Sequence, residues 1–187
     1  MYYQLFENLI HIYEEDDFDS AFQPISKEEH QERIKQTIER LKKEQKWIQN
    51  PDGTFSCNGD VNLYRLNLPQ LPVKFKEIKG SFDCSHNNLT SLQGAPAHVG
   101  GSFYCNANKL TSLEGAPQFV SGTFYCSHNN LTSLQGAPAH VGDSFSCSHN
   151  NLTSLQGAPA HVGGYFDCYR NPVPEQQLKQ TVKRDYL

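Results

Sequence analysis

The side chains best able to do chemistry in this chain belong to a string that the sequence repeats. The string CSHNNLTSLQGAPAHVG occupies residues 84–100, 126–142 and 147–163 without a single change. It opens with a Cys-x-His pair, and sulfur and imidazole nitrogen are ligands that zinc prefers in proteins. A structural zinc site, however, needs four ligands that converge on one point. One intervening repeat breaks the pair with Ala107, so metal binding is an alternative function and not the leading one.

A period of 21 residues controls where these side chains fall. Two columns keep this spacing: Phe82, Phe103, Phe124, Phe145 and Phe166, and Cys84, Cys105, Cys126, Cys147 and Cys168. A fixed period of this length is the signature of a solenoid, in which each coil packs only on its neighbours. Val61 and Leu63 continue the two columns backward. We therefore expect six coils that begin near residue 59, with Cys57 out of phase in a short strand that leads into the first coil.

The residues around each phenylalanine predict a β-strand. In the segment SFYCN, Phe103 and Cys105 would face one side and Tyr104 the other, as alternation along a strand requires. Parallel stacking of such strands, about 4.8 Å apart, would bury the Phe and Cys columns continuously. The cysteines are thus expected to be reduced core residues, and the Gly-Ala-Pro segments to turn the chain into an extended return strand. Asn108 and its equivalents are expected to bond backbone groups at the bend.

Residues 47–175 resemble the short leucine-rich-repeat proteins of tailed bacteriophages and bacteria. The segment DGTFSCNGDVNLYRLNLPQLPVKFKEIKGSFDCSHNNLTSLQGAPAHVGGSFYC carries the resemblance. Its repeats fit the pattern L-x-x-L-x-L-x-x-N-x-L, with Phe103 in the fourth place, Cys105 in the sixth and Asn108 in the ninth. The resemblance implies a phage-encoded interaction scaffold with no known catalytic residues. NLPQLPVKF also resembles repeats of secreted bacterial effector ligases, but residues 174–187 are too few for a ligase domain.

Charge and targeting signals limit the expected classes of function. The net charge is −4 and the acidic surplus lies within residues 1–60, so we expect neither nucleic acid nor a membrane as a partner. No stretch is apolar enough to span a bilayer, and the first residues lack the features of a secretory signal. We therefore expect a cytoplasmic protein, in the host cell if it is phage-encoded, with no cofactor and no enzymatic activity.

The two ends of the array are expected to be covered, because a solenoid exposes apolar cross-sections there. Residues 1–50 are predicted to form a two-helix N-terminal cap, or instead a separate docking element or an oligomer contact. The second helix would begin at a capping box of Ser26 and Glu29, carry an apolar face that reaches Ile48, and end in the turn at 50–53. Residues 51–173 would form the solenoid, and residues 174–187 a short helix with Leu178 and Val182 on the last coil.

The outward side of the predicted sheet carries the candidate binding residues. Residues 122–142 and 143–163 differ at only three places, one of which holds Tyr125 in the first copy and Ser146 in the second. Tyr104 and Tyr125 are expected to be neighbours on adjacent strands, and interface hot spots favour central tyrosines. The residues assigned to partner binding are Asn62, Tyr64, Asp83, Tyr104, Tyr125, His128, Ser146, His149, Asp167 and Tyr169.

These observations together predict an α+β solenoid of the leucine-rich-repeat type. It would have a parallel β-sheet on its concave face, an N-terminal helical cap and a short C-terminal helix. The leading predicted function is a non-enzymatic scaffold that binds a protein partner, such as a host protein, through the concave sheet. The alternatives are a structural component of the virion and a metal-binding protein. The oligomeric state is left open.

Overall fold

The computed structural model describes residues 26–174 and residue 176, and over these residues it contains one α-helix and thirteen short β-strands. The elements are α1 (Lys27–Glu44), β1 (Ile48–Gln49), β2 (Phe55–Cys57), β3 (Val61–Asn62), β4 (Phe75–Ile78), β5 (Phe82–Asp83), β6 (His98–Val99), β7 (Phe103–Tyr104), β8 (Phe119–Val120), β9 (Phe124–Tyr125), β10 (His140–Val141), β11 (Phe145–Ser146), β12 (His161–Val162) and β13 (Phe166–Asp167). No helix among these residues is long and apolar enough to span a membrane.

The strands form two sheets, and each coil of the chain adds one strand to each of them. The six-stranded sheet has the order β3-β5-β7-β9-β11-β13, and the seven-stranded sheet has the order β1-β2-β4-β6-β8-β10-β12. Every pairing is parallel except that of β1 with β2. The first and last strands of the six-stranded sheet enclose about five turns of 21 residues. The predicted β-solenoid with parallel strands is therefore confirmed.

The core lies between the two sheets and consists of columns of identical residues. The rings of Phe82, Phe103, Phe124 and Phe145 are fully buried, and successive rings stack at 5.3–5.4 Å between centroids. Val99, Val120 and Val141 of the opposite sheet are equally buried. Cys84, Cys105, Cys126 and Cys147 are buried too, as the alternation along the strands predicts. Burial of this kind depends on stacking, because a single coil has no apolar surface to pack against.

Cys57 belongs to a core column of the seven-stranded sheet, a place that the sequence did not predict for it. It lies outside the cysteine column, as expected, and in a short strand before the first coil. That strand, β2, pairs with β4 in the seven-stranded sheet, and Cys57 lies opposite Ile78 in the register. Since Ile78 is followed by Val99 at the next coil, Cys57 is the first member of the Ile/Val column. The repeat therefore starts in the seven-stranded sheet one strand earlier than in the other sheet.

An asparagine column holds the bend after each strand of the six-stranded sheet, as the sequence predicts. The Asn108 amide nitrogen donates to the carbonyl oxygens of Cys84 at 3.0 Å and Cys105 at 3.1 Å, and its oxygen accepts from the Leu89 N–H at 2.9 Å. Asn87, Asn129, Asn150 and Asn171 make equivalent bonds. Each amide thus joins two coils through backbone groups that the bend leaves without strand partners.

The helix begins where predicted but ends before the predicted turn. Ser26 and Glu29 form the reciprocal capping box, with bonds of 2.9 and 3.1 Å. The predicted apolar face that reaches Ile48 is wrong, because α1 ends at Glu44 and Ile48 is an exposed residue of β1. Lys46 adopts a positive φ of 53°, and the Trp47 N–H bonds the Lys42 carbonyl at 2.9 Å, which closes the helix end. The turn at 50–53 instead joins β1 and β2 as a hairpin.

The segment after the helix covers the first edge of the solenoid. The side-chain amide of Gln45 bonds both backbone groups of Asn62 on β3, at 3.1 and 3.2 Å, and so takes the place of a further strand. Trp47 is buried against the rings of Phe55 and Phe75, with centroid distances of 6.2 and 5.0 Å. The other predicted end elements, a first helix before residue 26 and a C-terminal helix with Leu178 and Val182, lie outside the described residues.

Candidate functional site

The most prominent feature of the six-stranded sheet's outer face is a pair of tyrosines. Tyr104 of β7 and Tyr125 of β9 lie directly opposite each other in the parallel register. Their side chains point away from the core because each follows a buried phenylalanine on its strand. The two rings stack at 5.2 Å between centroids and 9° between planes, and Tyr125 is 38% exposed. The pair therefore forms a continuous aromatic surface with the same stacking geometry as the phenylalanines beneath it.

A shallow groove runs beside this pair. It has a volume of about 400 Å³ and is lined by Tyr104, Asn106, Tyr125, Ser127, His128 and Ser146. Ser146 occupies the place on β11 that Tyr125 occupies on β9, since the two residues are partners in the register. The tyrosine column therefore ends at Tyr125, and its next place holds only a hydroxymethyl group. We name this place, with Tyr125 as its wall and Ser146 as its floor, the serine step.

The acidic and amide candidates of the same column stabilise turns. Asn62, Asp83 and Asp167 each accept a hydrogen bond from the N–H two residues later, a local turn that short polar side chains favour. The bonds are Tyr64 N–H to Asn62 Oδ1 (2.9 Å), Ser85 N–H to Asp83 Oδ1 (2.9 Å) and Tyr169 N–H to Asp167 Oδ1 (3.0 Å). Asp83 and Asp167 are both half-buried residues.

Buried serines lie beside the serine step. Ser127 is 7% exposed and Ser148 is 8% exposed, whereas Tyr64 and Tyr169 at the ends of the same column are exposed. Ser148 donates to Ser127 at 3.0 Å, Ser127 and Ser146 are 2.8 Å apart, and Ser146 donates to Asp167 Oδ2 at 2.9 Å. Each hydroxyl has a single proton, so the Ser127 proton must point toward Ser146. The hydroxyls form a chain of bonds directed to the carboxylate of Asp167.

The histidine candidates lie at the bend after the strands. His128 and His149 adopt positive φ values of 56° and 53°, and their rings stack at 4.1 Å between centroids. Desolvation, together with the charges of neighbouring His128 and Arg170, lowers the pKa of His149 below its ordinary value. His128 borders the groove. The structure thus brings His128, the tyrosine pair and Ser146 together.

The other candidates lie toward the ends of the sheet. At each end an arginine lies over an exposed tyrosine: Arg65 over Tyr64 at 5.2 Å and Arg170 over Tyr169 at 5.5 Å. Asn62 is on the first strand of the sheet and Asp167 on the last. Asn62, Tyr64 and Tyr169 do not border the groove, whereas Asp167 reaches the serine step through its bond to Ser146.

The cysteines and histidines of the repeated string do not converge. The Sγ atoms of Cys84, Cys105 and Cys126 point to backbone carbonyl oxygens of the next coil, at 3.3–3.4 Å. Burial raises the pKa of these thiols far above its ordinary value, so they stay protonated. Among the described residues no group of three or more His, Cys, Asp or Glu side chains is placed to hold a metal ion.

A second exposed column lies on the seven-stranded sheet, and sequence reasoning missed its aromatic member. His98, Phe119, His140 and His161 are neighbours in the register. The ring of Phe119 stacks on that of His140 at 4.6 Å, and Phe119 is 39% exposed. The 21-residue period was the signal that places Phe119 in this histidine column.

Comparison with protein-family models, with curated proteins and with solved structures finds no match to this chain. The residues of the site and their geometry therefore carry the functional argument.

Proposed function

We propose that this chain is a non-enzymatic protein-binding module of the leucine-rich-repeat type. In this proposal the outer face of the six-stranded sheet corresponds to the concave face of such repeats, and a partner protein docks on it. The observation that carries the proposal is the stacked, partly exposed pair of Tyr104 and Tyr125 beside a groove in the middle of the sheet. Tyrosines in such a central position, with polar residues around them, are the usual energetic centres of protein interfaces.

Two features support the leucine-rich-repeat assignment. The 21-residue period lies within the range of these repeats. The asparagine at the ninth place of the pattern bonds backbone groups of two coils in every repeat from Asn87 to Asn171. The resemblance in sequence extends the proposal to a phage-encoded protein that acts on a host protein in the host cytoplasm.

The chemistry of the nucleophilic side chains favours binding over catalysis. A thiol acts as a nucleophile in its ionised form. Cys84, Cys105 and Cys126 are completely buried, and their raised pKa values keep them protonated. The hydroxyl of Ser146 gives its proton to Asp167, and among the described contacts no imidazole nitrogen is bonded to that hydroxyl. A serine nucleophile requires such a base within hydrogen-bond reach.

An affinity-capture experiment tests this function. The immobilised chain, its Tyr104→Ala/Tyr125→Ala variant and its Phe119→Ala variant are compared for the proteins that they retain from bacterial extract. Truncating the tyrosine pair is expected to weaken retention of a specific protein by at least about tenfold, since each hot-spot residue contributes roughly 1–3 kcal/mol.

Phe119→Ala is the matched control, because it removes an aromatic side chain of similar exposure from the other sheet. It is expected to retain the protein fully. The proposal that the six-stranded sheet is the binding face is contradicted if the wild type and both variants retain the captured protein equally. It is also contradicted if only Phe119→Ala loses retention of that protein.

A further inference from the structure

We propose that the serine step is a binding site for an arginine side chain of the partner protein. The inference rests on the proposed function and names the chemistry of its central contact. The guanidinium group would stack on the free face of Tyr125, lie above Ser146 and donate hydrogen bonds toward Asp167. Three properties of the site lead to this assignment: its shape, the direction of its hydroxyl protons and its charge.

The shape of the step fits a flat group. The rings of Tyr104 and Tyr125 are nearly parallel, so that one face of Tyr125 is covered by Tyr104 and the other face is turned toward the coil of Ser146. In the core beneath, Phe124 and Phe145 continue the same stack at 5.4 Å. On the outer face the stack stops, because Ser146 is too short to reach the level of the ring. A planar group of the partner would take the place of the missing ring.

The hydrogen bonds of the floor select a donor. Ser146 gives its proton to Asp167, and Ser127 gives its proton to Ser146. Ser148 gives its proton to Ser127. With the protons of these three serines committed in this direction, the floor of the step offers a ligand acceptors, above all the carboxylate of Asp167. A guanidinium group, which has donors alone, matches a floor of acceptors.

The charge of the site selects a cation. Asp167 lies one strand beyond Ser146, and Asp83 lies beside Tyr104 on the other side of the tyrosine pair. Stacking over a tyrosine face also favours a cation. Arginine combines a planar shape, a positive charge and several N–H donors, whereas lysine lacks the planar shape. On the same sheet two arginines already lie over tyrosine rings next to them in the sequence, Arg65 over Tyr64 and Arg170 over Tyr169.

Titration with a small probe tests the site without knowledge of the partner. N-acetyl-arginine-methylamide is added to the ¹⁵N-labelled full chain, and the backbone amide resonances of Ser146 and Asp167 are followed. The probe is expected to shift these resonances and to saturate them. The citrulline analogue, which has the same shape without the charge, is expected to bind at least about tenfold more weakly.

Two variants locate the binding. Ser146→Tyr extends the tyrosine stack and fills the step, and it should fold because Tyr125 occupies the same place in a coil of nearly identical sequence. Asp167→Asn removes the charge but keeps the acceptor of the local turn, as Asn62 does on the first strand. We expect Ser146→Tyr to abolish binding and Asp167→Asn to weaken it about tenfold.

Asp143→Asn, which makes the same change of charge at a position that precedes β11, is the matched control and should bind as the wild type. Equal binding of the citrulline analogue, binding that survives Ser146→Tyr, or no shift of the two resonances overturns the proposal. If the probe fails while truncation of Tyr104 and Tyr125 still releases a captured protein, the arginine site is wrong and the proposed function stands. If the probe binds but retention of every captured protein is independent of the tyrosines, the arginine site stands and the proposed function is wrong.

Discussion

At the scale of single residues, each place in the asparagine column requires a side chain that both donates and accepts hydrogen bonds. Asn129 donates to the carbonyl oxygens of Cys105, Cys126 and Ser127 and accepts from the Leu110 N–H, and it is only 7% exposed. An aspartate could not donate, and a serine could not reach groups on both coils. The amide therefore satisfies donors and acceptors that no other short side chain satisfies together.

Removal of one such amide is predicted to destabilise the protein strongly. Asn129→Ala leaves the Leu110 N–H and at least one carbonyl oxygen buried without partners, which costs about 3 kcal/mol of the free energy of unfolding. Denaturant titration followed by circular dichroism measures this loss. The adjacent Asn130→Ala is the matched control, because Asn130 is exposed and its backbone N–H still bonds the Leu110 carbonyl. A loss below about 1 kcal/mol for Asn129→Ala would contradict the structural role.

At the scale of the element, the repeating unit is a strand, a bend, a glycine turn and a return strand. The glycine turn has one conformation in four successive coils: Gly94, Gly115, Gly136 and Gly157 have φ values of 95°, 88°, 85° and 84°. Only glycine enters this region without strain. The turn also brings neighbouring coils close, since a Cβ atom at Gly136 would lie 2.5 Å from the backbone nitrogen of Glu114.

Substitution of a glycine in this turn is predicted to destabilise the protein, because of the positive φ and because of the close contact with the neighbouring coil. Gly136→Ala combines a strained φ with a contact against backbone that has little freedom to move, and we expect it to lower the free energy of unfolding by about 3 kcal/mol. Gly59→Ala is the matched control, since no atom lies within 4 Å of its added Cβ and its φ is outside the positive region. Thermal unfolding of the two variants should separate them. Equal melting temperatures would show that the turn adjusts freely.

The elements also show which parts of the fold and of the site could be predicted from the sequence. The period alone placed Phe103, Cys105 and Asn108, because a solenoid gives every coil the same environment. The end of α1 was missed because Lys46 has no preference for positive φ that would mark it as a helix terminus. Burial of Ser127 was missed as well. Alternation along a strand does not predict whether a side chain at the following bend is buried, because its exposure depends on the coil stacked beside it.

At the scale of the whole molecule, the described solenoid has two different ends. At the first edge, Gln45 bonds the backbone of β3, and Trp47 covers the aromatic rings of Phe55 and Phe75. At the last described strand, β13, both Phe166 and Cys168 are only half-buried. Because each coil depends on its neighbours for burial, a difference between the ends should appear as a gradient of accessibility along the core columns.

Cysteine alkylation measures this gradient directly, since five of the six thiols, from Cys84 to Cys168, lie along the core at intervals of 21 residues. We expect iodoacetamide in mildly alkaline buffer to modify Cys168 first, at a rate below that of a free thiol, because burial raises its pKa and reduces the thiolate fraction. Cys105 and Cys126 are completely buried, with pKa values raised much further. They should react only when the protein unfolds. A higher pH should therefore accelerate modification of Cys168 while leaving those two protected, and mass spectrometry of peptide digests resolves each site.

Guanidinium chloride, which should make all six thiols reactive, is the control. Modification of Cys126 in the native protein as fast as that of Cys168 would mean that the coils open independently, and the continuous core would then not govern the stability of the solenoid.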